Sequence, residues 1–206
     1  MFDARIRPLI DPPLDFIGAR LAALGFTANA VTLMGAVWGL AAGFCVMQRA
    51  WGLVLGCIAL SRLMDGLDGA IARHSRVSQF GGYLDIVADF VFYTAIPVGF
   101  AVANPEFARP AALLLAAFAL TGVSFLAYAV TAGKLGMQTR AHGKKSFFYS
   151  TGIAEGAETI ALFVLMCLRP DWFPMLAYGF SLLCLATVVQ RTLAARNAFA
   201  IRDPAD

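Results

Sequence analysis

The chain has 206 residues, 60% of them hydrophobic and 14% charged, with a formal net charge of +3. A water-soluble domain carries about 25% charged residues, so the composition argues against an ordinary soluble protein. It implies an all-α, polytopic membrane protein.

The first 27 residues contain Pro8, Pro12, Pro13 and scattered charges rather than an apolar core, so no cleavable signal peptide is expected. Leu14, Ile17, Leu21 and Leu24 recur at helical spacing, with Asp15 and Arg20 between them. Segment 1–27 therefore predicts either a short helix lying at the membrane surface or a lead-in to the first span. Six stretches are then long enough to cross about 30 Å of hydrocarbon, which needs about 20 helical residues each. They fall at roughly 28–48, 51–73, 80–103, 110–134, 147–168 and 172–195. Together they make a six-helix core over 28–195 within a single domain spanning 1–206, and a polar, frayed tail at 196–206. Gly35, Gly39 and Gly43, and also Gly52 and Gly56, leave room for close helix approach. Cys45, Cys57, Cys167 and Cys184 lie inside predicted spans without CxxC pairing and read as small apolar packing residues.

With six spans, both termini share one side with the second-to-third and fourth-to-fifth connections. That side collects 12 of the 16 basic residues, among them Arg73, Arg76, Arg140, Lys144 and Lys145. The opposite side has Arg49, Arg109 and Arg169, and Arg62 falls within the second span. The positive-inside rule then places the termini in the cytoplasm.

The acids are few and gathered. Asp65, Asp68, Asp85 and Asp89 lie within 25 residues, spaced i,i+3 and then i,i+4, each pair on one helix face. Carboxylates at membrane depth are costly and usually functional. Clustered without compensation they would repel one another, so cations are their natural partners, and hard oxygen-ligated ions such as Mg²⁺ fit best. The short turn containing Arg73, His74, Ser75, Arg76 and Ser78 brings the cytoplasmic ends of two antiparallel helices together. Two divalent ions about 3.5–4 Å apart on bridging carboxylates are a standard device for phosphoryl chemistry. Gly69 and Ala72 leave room for a substrate at the helix backbone, and Arg73 supplies a fork for phosphate oxygens. Glu155 and Glu158 form a second acidic pair in the fifth span, able to pair with Arg62 or to line an acceptor pocket. Lys134, Arg140, His142, Lys144 and Lys145 form a basic stretch suited to an anionic acceptor or to lipid head groups.

The string Asp65-x2-Asp68-Gly69-x2-Ala72-Arg73, followed by Gly81-x3-Asp85-x3-Asp89, resembles the signature of the CDP-alcohol phosphotransferase family. Seven residues separate Arg73 from Gly81 where the usual pattern has eight, which reads as a one-residue deletion in the turn. Thr27-Ala28-Asn29-Ala30-Val31-Thr32 resembles the family's TPNxxT start of the first span, with Ala28 in place of proline. The segment from Lys145 to Thr159 is similar to an enterobacterial branch of the family. The resemblance implies a transferase that moves a phosphatidyl group from CDP-diacylglycerol to an alcohol, releasing CMP, in phospholipid biosynthesis. Asp65, Asp68 and Asp85 would bind two divalent cations (Mg²⁺ or Mn²⁺), with Asp89 touching one of them and acting as general base. Asn29, Thr32, Gly69, Ala72, Arg73, Ser78 and Gly81 would surround the CDP moiety, and Arg140, Lys144, Lys145, Glu155 and Glu158 the acceptor. Glycerol phosphate, phosphatidylglycerol and inositol phosphate are the acceptor types expected. The resemblance further implies a homodimer in a bacterial inner membrane, its active site facing the cytoplasm, with lipids as neighbours and no nucleic-acid partner. Two other readings use the same residues. A soluble CDP-alcohol such as CDP-choline or CDP-ethanolamine could donate to a lipid alcohol. Alternatively, a divalent-cation transporter would place its acids near the bilayer midplane, on discontinuous helices with repeat symmetry.

Overall fold

The structure is a computed structural model that describes residues 3–135 and 152–200, with side chains from Ile10 onward. All its regular elements are helices: α1 (Asp3–Ala23), α2 (Ala28–Met47), α3 (Trp51–His74), α4 (Gln79–Ala103), α5 (Ala108–Lys134), α6 (Gly156–Leu168) and α7 (Phe173–Ala200). Single 3₁₀ turns, Pro105–Phe107 and Pro170–Trp172, lead into α5 and α7. Among the described residues, four segments are long and apolar enough to cross a membrane: Ala28–Met47, Gln79–Ala103, Pro105–Lys134 and Pro170–Ala200. Helix α3 has 24 residues, about 36 Å at 1.5 Å per residue, and is long enough as well. What sets it apart is charge, since Arg62, Asp65 and Asp68 interrupt its apolar sequence.

The helix starts and stops follow local chemistry. Thr27 caps α2, its hydroxyl accepting from the Ala30 amide at 3.3 Å. Ser78 caps α4 in the same way, accepting from the Gly81 amide at 2.9 Å. Between α2 and α3 the chain reverses through Arg49, which sits at φ 57°. Its guanidinium donates to the Ala103 carbonyl at 2.6 Å, tying this turn to the end of α4.

Helix α2 is the central post, with α3 and α4 both packed on it. Its glycines make that approach possible. A Cβ on Gly35 would stand 3.2 Å from Met64 Cβ of α3, one on Gly39 3.2 Å from Phe92 Cβ, and one on Gly43 2.6 Å from the Ala95 carbonyl oxygen. Leu33, Val37, Leu40 and Phe44 line the other side of α2 and are exposed, which suits lipid. Gly52 and Gly56, expected to serve helix packing too, face open space instead. The main core joins α2–α4 to α5–α7 through aromatic side chains, with Phe100 stacked on Phe173 at 4.2 Å and Phe92 edge-on to Phe163 at 5.6 Å. Helix α1 crosses the end of α3 where Gly18 meets Ala70, at a contact so close that an added Cβ would lie 2.5 Å from Ala70 Cβ. The stripe read from its sequence divides there. Leu14 and Leu21 pack against Val31, Leu67 and Ile71, while Ile17 and Leu24 are exposed.

Two sequence expectations need correction. The fifth span was expected over 147–168, yet among the described residues the helix begins only at Gly156. Glu155 is extended (φ −122°, ψ −173°) and closes a capping box with Glu158, which stops the helix on its N-terminal side. The resulting 13 residues rise about 20 Å, short of the hydrocarbon thickness. At the other end, α7 runs on to Ala200 although a frayed tail was expected from 196. Phe199 packs on Tyr128 of α5, ring centroids 5.2 Å apart, and so holds the extra turn.

Candidate active site

The last turns of α3 and the first turns of α4 carry the four aspartates to one end of the bundle. The two helices pack on α2 more than on each other, so side chains bridge the space between them. Carboxylate oxygens of Asp65, Asp68 and Asp85 lie within 4.8 Å of one another. Oxygens on a single octahedral Mg²⁺ would be about 3.0 Å apart when adjacent and about 4.2 Å when opposite. The trio therefore fits a hard divalent cation with small side-chain adjustments, and all its donors are oxygens. Beside it is a space of about 10 Å³, bounded by Thr32, Ser61, Arg62, Asp65, Asp68 and Asp89, enough for about one water or a small ion.

Each acid is held differently. Asp68 is the most enclosed, 4% exposed. The Thr32 hydroxyl of α2 lies 2.6 Å from Asp68 Oδ2 and 3.0 Å from the Ala28 carbonyl oxygen. A hydroxyl has one proton to donate, and the shorter, charge-assisted contact is to the carboxylate. Asp89 accepts from Arg62 Nη1 at 2.8 Å, and the same nitrogen stands 3.8 Å from Asp65 Oδ2. Arg62 is itself fixed: Nη2 donates to Ser61 Oγ at 3.1 Å, and the guanidinium carbon lies 4.1 Å from the centre of the Phe92 ring. Ser61 Oγ donates in turn to the Gly35 carbonyl of α2 at 2.9 Å.

The residues expected around CDP divide into groups. Thr32 is at the carboxylates, as just described. Asn29, Ser78 and Gly81 converge at the start of α4, where a Cβ on Gly81 would lie 3.0 Å from Ser78 Oγ and 3.1 Å from Asn29 Oδ1. Gly69 is open, the nearest atom to an added Cβ being Arg73 Nη1 at 3.6 Å, and Ala72 is partly buried one turn further on. Arg73 points to α1, its Nε and Nη2 donating to Asp15 Oδ1 at 2.9 and 2.6 Å. That exposed pair leaves Nη1 uncommitted to Asp15. On the acceptor side, Arg140, Lys144 and Lys145 lie outside the described residues. Glu155 and Glu158 cap α6: Glu155 Oε1 accepts from the Gly152 amide at 2.9 Å, and Glu158 Oε2 from the Glu155 amide at 3.2 Å. Arg62, weighed as their partner, is turned to Asp89.

Sequence reasoning gave no site role to Asp15, Ser61 or Arg62. Arg62 had a visible signal, since it lies at the middle of a predicted span, far from either end, and precedes Asp65 by one helical turn. Asp15 had none, because its link to Arg73 depends on the crossing at Gly18 and Ala70.

The chain belongs to the CDP-alcohol phosphatidyltransferase family, whose pattern it matches over residues 25–194. It is 44% identical to inner membrane protein YnjF of Escherichia coli over 192 residues, 93% of either chain. Over 100 residues, 48% of this chain and 53% of the other, it is 36% identical to an archaetidylinositol phosphate synthase of Pyrococcus horikoshii. The fold resembles that of Mycobacterium tuberculosis phosphatidylinositol phosphate synthase with CDP-DAG bound, at a TM-score of 0.61 and 24% identity, covering 88% of this chain and 92% of that one.

Proposed function

We propose that the protein transfers a phosphatidyl group from CDP-diacylglycerol to an alcohol and releases CMP. The observation that carries this reading is the convergence of Asp65, Asp68 and Asp85 at one end of a lipid-facing bundle, beside Asp89. When bound by the three carboxylates, divalent cations (two Mg²⁺ or Mn²⁺) neutralise the diphosphate and make CMP a better leaving group. The acceptor hydroxyl oxygen bonds to the phosphorus bearing the diacylglycerol, the bond from that phosphorus to the CMP oxygen breaks, and Asp89 takes the hydroxyl proton. Thr32 orients Asp68. Asn29, Ser78, Gly81, Gly69 and Ala72 line the approach for the cytidine and diphosphate, and Nη1 of Arg73 remains available to a phosphate oxygen.

For the acceptor we propose a phosphate-bearing alcohol of the glycerol phosphate, phosphatidylglycerol or inositol phosphate type, held by the basic stretch that includes Arg140, Lys144 and Lys145. One relative, the archaeal protein, is named an archaetidylinositol phosphate synthase, which supports this choice. Counting the short α6 as a span, the chain has six spans with both termini on one side. The basic-residue bias supports the cytoplasmic face for the termini and the site, and the Escherichia coli relative supports a bacterial inner membrane. A reporter fused to the C-terminus should be active only in the cytoplasm. A homodimer completes the reading, and a protein that stays monomeric in lipid nanodiscs would count against it.

The experiment is an acceptor panel. Purified protein, Mg²⁺ and CDP-diacylglycerol are incubated with each alcohol, and the lipid product is identified by mass spectrometry. A phosphate-bearing acceptor should give the largest product yield. If a neutral or cationic alcohol is best, the acceptor assignment is wrong. If only CDP-choline or CDP-ethanolamine serves as donor, the direction of transfer is wrong.

A further inference from the structure

The fourth aspartate stands apart from the other three, and an arginine holds it there. Asp89 is outside the group whose oxygens lie within 4.8 Å of one another, and its Oδ1 accepts from Arg62 Nη1 at 2.8 Å. The geometry points to Arg62 as the positioning residue that separates the general base from the cation ligands and aims it at the acceptor. This inference rests on the transferase reading above and adds to it a residue outside the family signature that brought the aspartates together.

Arg62 lies on α3 and Asp89 on α4, two helices that pack mainly on α2, so the pair links two helices that meet each other little directly. The arginine side chain is 15% exposed and is fixed on three sides. Nη1 holds Asp89, Nη2 holds Ser61 Oγ, and the guanidinium face lies on Phe92, which is fully buried. Ser61 is fixed through Gly35, whose lack of a side chain permits the close approach of α2: an added Cβ there would lie 3.2 Å from Met64 Cβ and 3.4 Å from the Ser61 carbonyl oxygen. The position of Asp89 is thus referred, through Arg62 and Ser61, to the backbone of α2. That is the helix whose Thr32 fixes Asp68. Base and cation ligand are set against one reference, which is what a reaction needing both at a defined separation requires.

A charge-balancing arginine in a membrane helix could account for the ion pair. It would not need the Ser61–Gly35 brace, nor would it leave a donor unused. Arg62 Nε is buried and has no hydrogen-bond partner among the described residues, although Arg62 lines the small space between the acids. Asp89 Oδ2, likewise, accepts no hydrogen bond among the described residues and stays available for a proton.

The test compares wild type, Arg62→Lys and Arg62→Ala in lipid nanodiscs, measuring kcat, the KM for CDP-diacylglycerol and Mn²⁺ affinity by electron paramagnetic resonance. A misplaced catalytic group costs about 10²-fold, so Arg62→Ala should lose about that much in kcat. Donor KM and Mn²⁺ affinity should remain within about three-fold, Arg62→Lys should fall between the two, and added guanidinium ion should restore at least about ten-fold of the Arg62→Ala loss. Arg62→Ala with kcat within three-fold of wild type overturns the inference, as does a kcat loss matched by an equal loss of Mn²⁺ affinity and unmoved by guanidinium. Should Arg62→Ala leave Asp89 unpaired and the protein unfolded, the comparison passes to Asp89→Asn with and without Arg62→Ala, where no buried carboxylate is stranded. There the second substitution should cost less than about three-fold, because Arg62 acts through Asp89, and a further ten-fold loss overturns the inference. Active wild type with active Arg62→Ala removes this role alone. Wild type that releases no CMP from CDP-diacylglycerol with any alcohol removes the transferase reading as well.

Discussion

The two ends of α3 and α4 are closed by different chemistry. At the carboxylate end, charged groups are held by directional bonds: Thr32 to Asp68, Arg62 to Asp89, Arg73 to Asp15. The small space enclosed among these groups is about 10 Å³. At the opposite end the helices are held by rings, Phe100 on Phe173 at 4.2 Å, Phe107 on Phe173 at 5.2 Å and Trp51 on Phe100 at 5.6 Å. A cavity of about 340 Å³ is tolerated beside them. Aromatic packing is forgiving in direction and strong in total, whereas a charged site is demanding in direction and weak in net stability. The contrast teaches that one end secures the bundle and the other can be tuned for reaction. Substitutions should therefore separate stability from activity according to the end they touch.

The largest effect should come from the cation ligands. Asp65→Asn, Asp68→Asn or Asp85→Asn should each lower turnover by at least about 10⁴-fold, since metal-assisted charge stabilisation is worth several kcal/mol. Their thermal unfolding should stay close to wild type, and a variant that keeps a tenth of the activity would break the comparison at its strongest point. Next, Phe100→Ala at the opposite end should cost about 3–5 kcal/mol of stability by leaving a cavity. Its kcat, measured well below the melting temperature, should hold within a few-fold, and an intact melting curve would show that the ring cluster does not secure the bundle. Asp89→Asn should follow with about a 10²-fold loss in kcat and little change in donor binding. Equal losses in both would make Asp89 a ligand rather than a base. Smaller still, Glu155→Ala should cost about 1 kcal/mol by removing the cap of α6, read by thermal denaturation. Smallest, neutralising Arg140, Lys144 or Lys145 singly should raise acceptor KM by a few-fold and leave donor KM unchanged, as expected of exposed charge contacts. Unchanged acceptor KM in all three would remove the basic stretch from the site.

The sequence was most readable where chemistry and helix periodicity act together. The i,i+3 and i,i+4 spacings placed Asp65 with Asp68 and Asp85 with Asp89, and a short turn was enough to bring the pairs to one end of the bundle. Glycine spacing in α2 likewise indicated its close packing, because Gly35, Gly39 and Gly43 repeat on one face. Gly52 and Gly56 share that spacing but meet nothing, since spacing does not say on which side a neighbour lies. The start of α6 was missed for another reason. Hydropathy averages over about 20 residues and passes over Gly152 and the Glu155–Glu158 cap, although that pair is a readable stop signal. The Arg73–Asp15 and Arg62–Asp89 pairs join residues 58 and 27 positions apart, and only the crossing of α1 over α3 and the shared packing on α2 bring them together.

The central claim is that the carboxylate end of this bundle holds divalent cations that activate a cytidine liponucleotide. It is tested most directly by following CMP release from CDP-diacylglycerol, in the presence of the acceptor panel, by purified protein freed of metal with EDTA and then titrated with Mg²⁺ or Mn²⁺. The account expects no release without metal, saturable recovery on titration, and no recovery at any metal concentration in Asp68→Asn. Full CMP release in EDTA, or full recovery in Asp68→Asn, would contradict it.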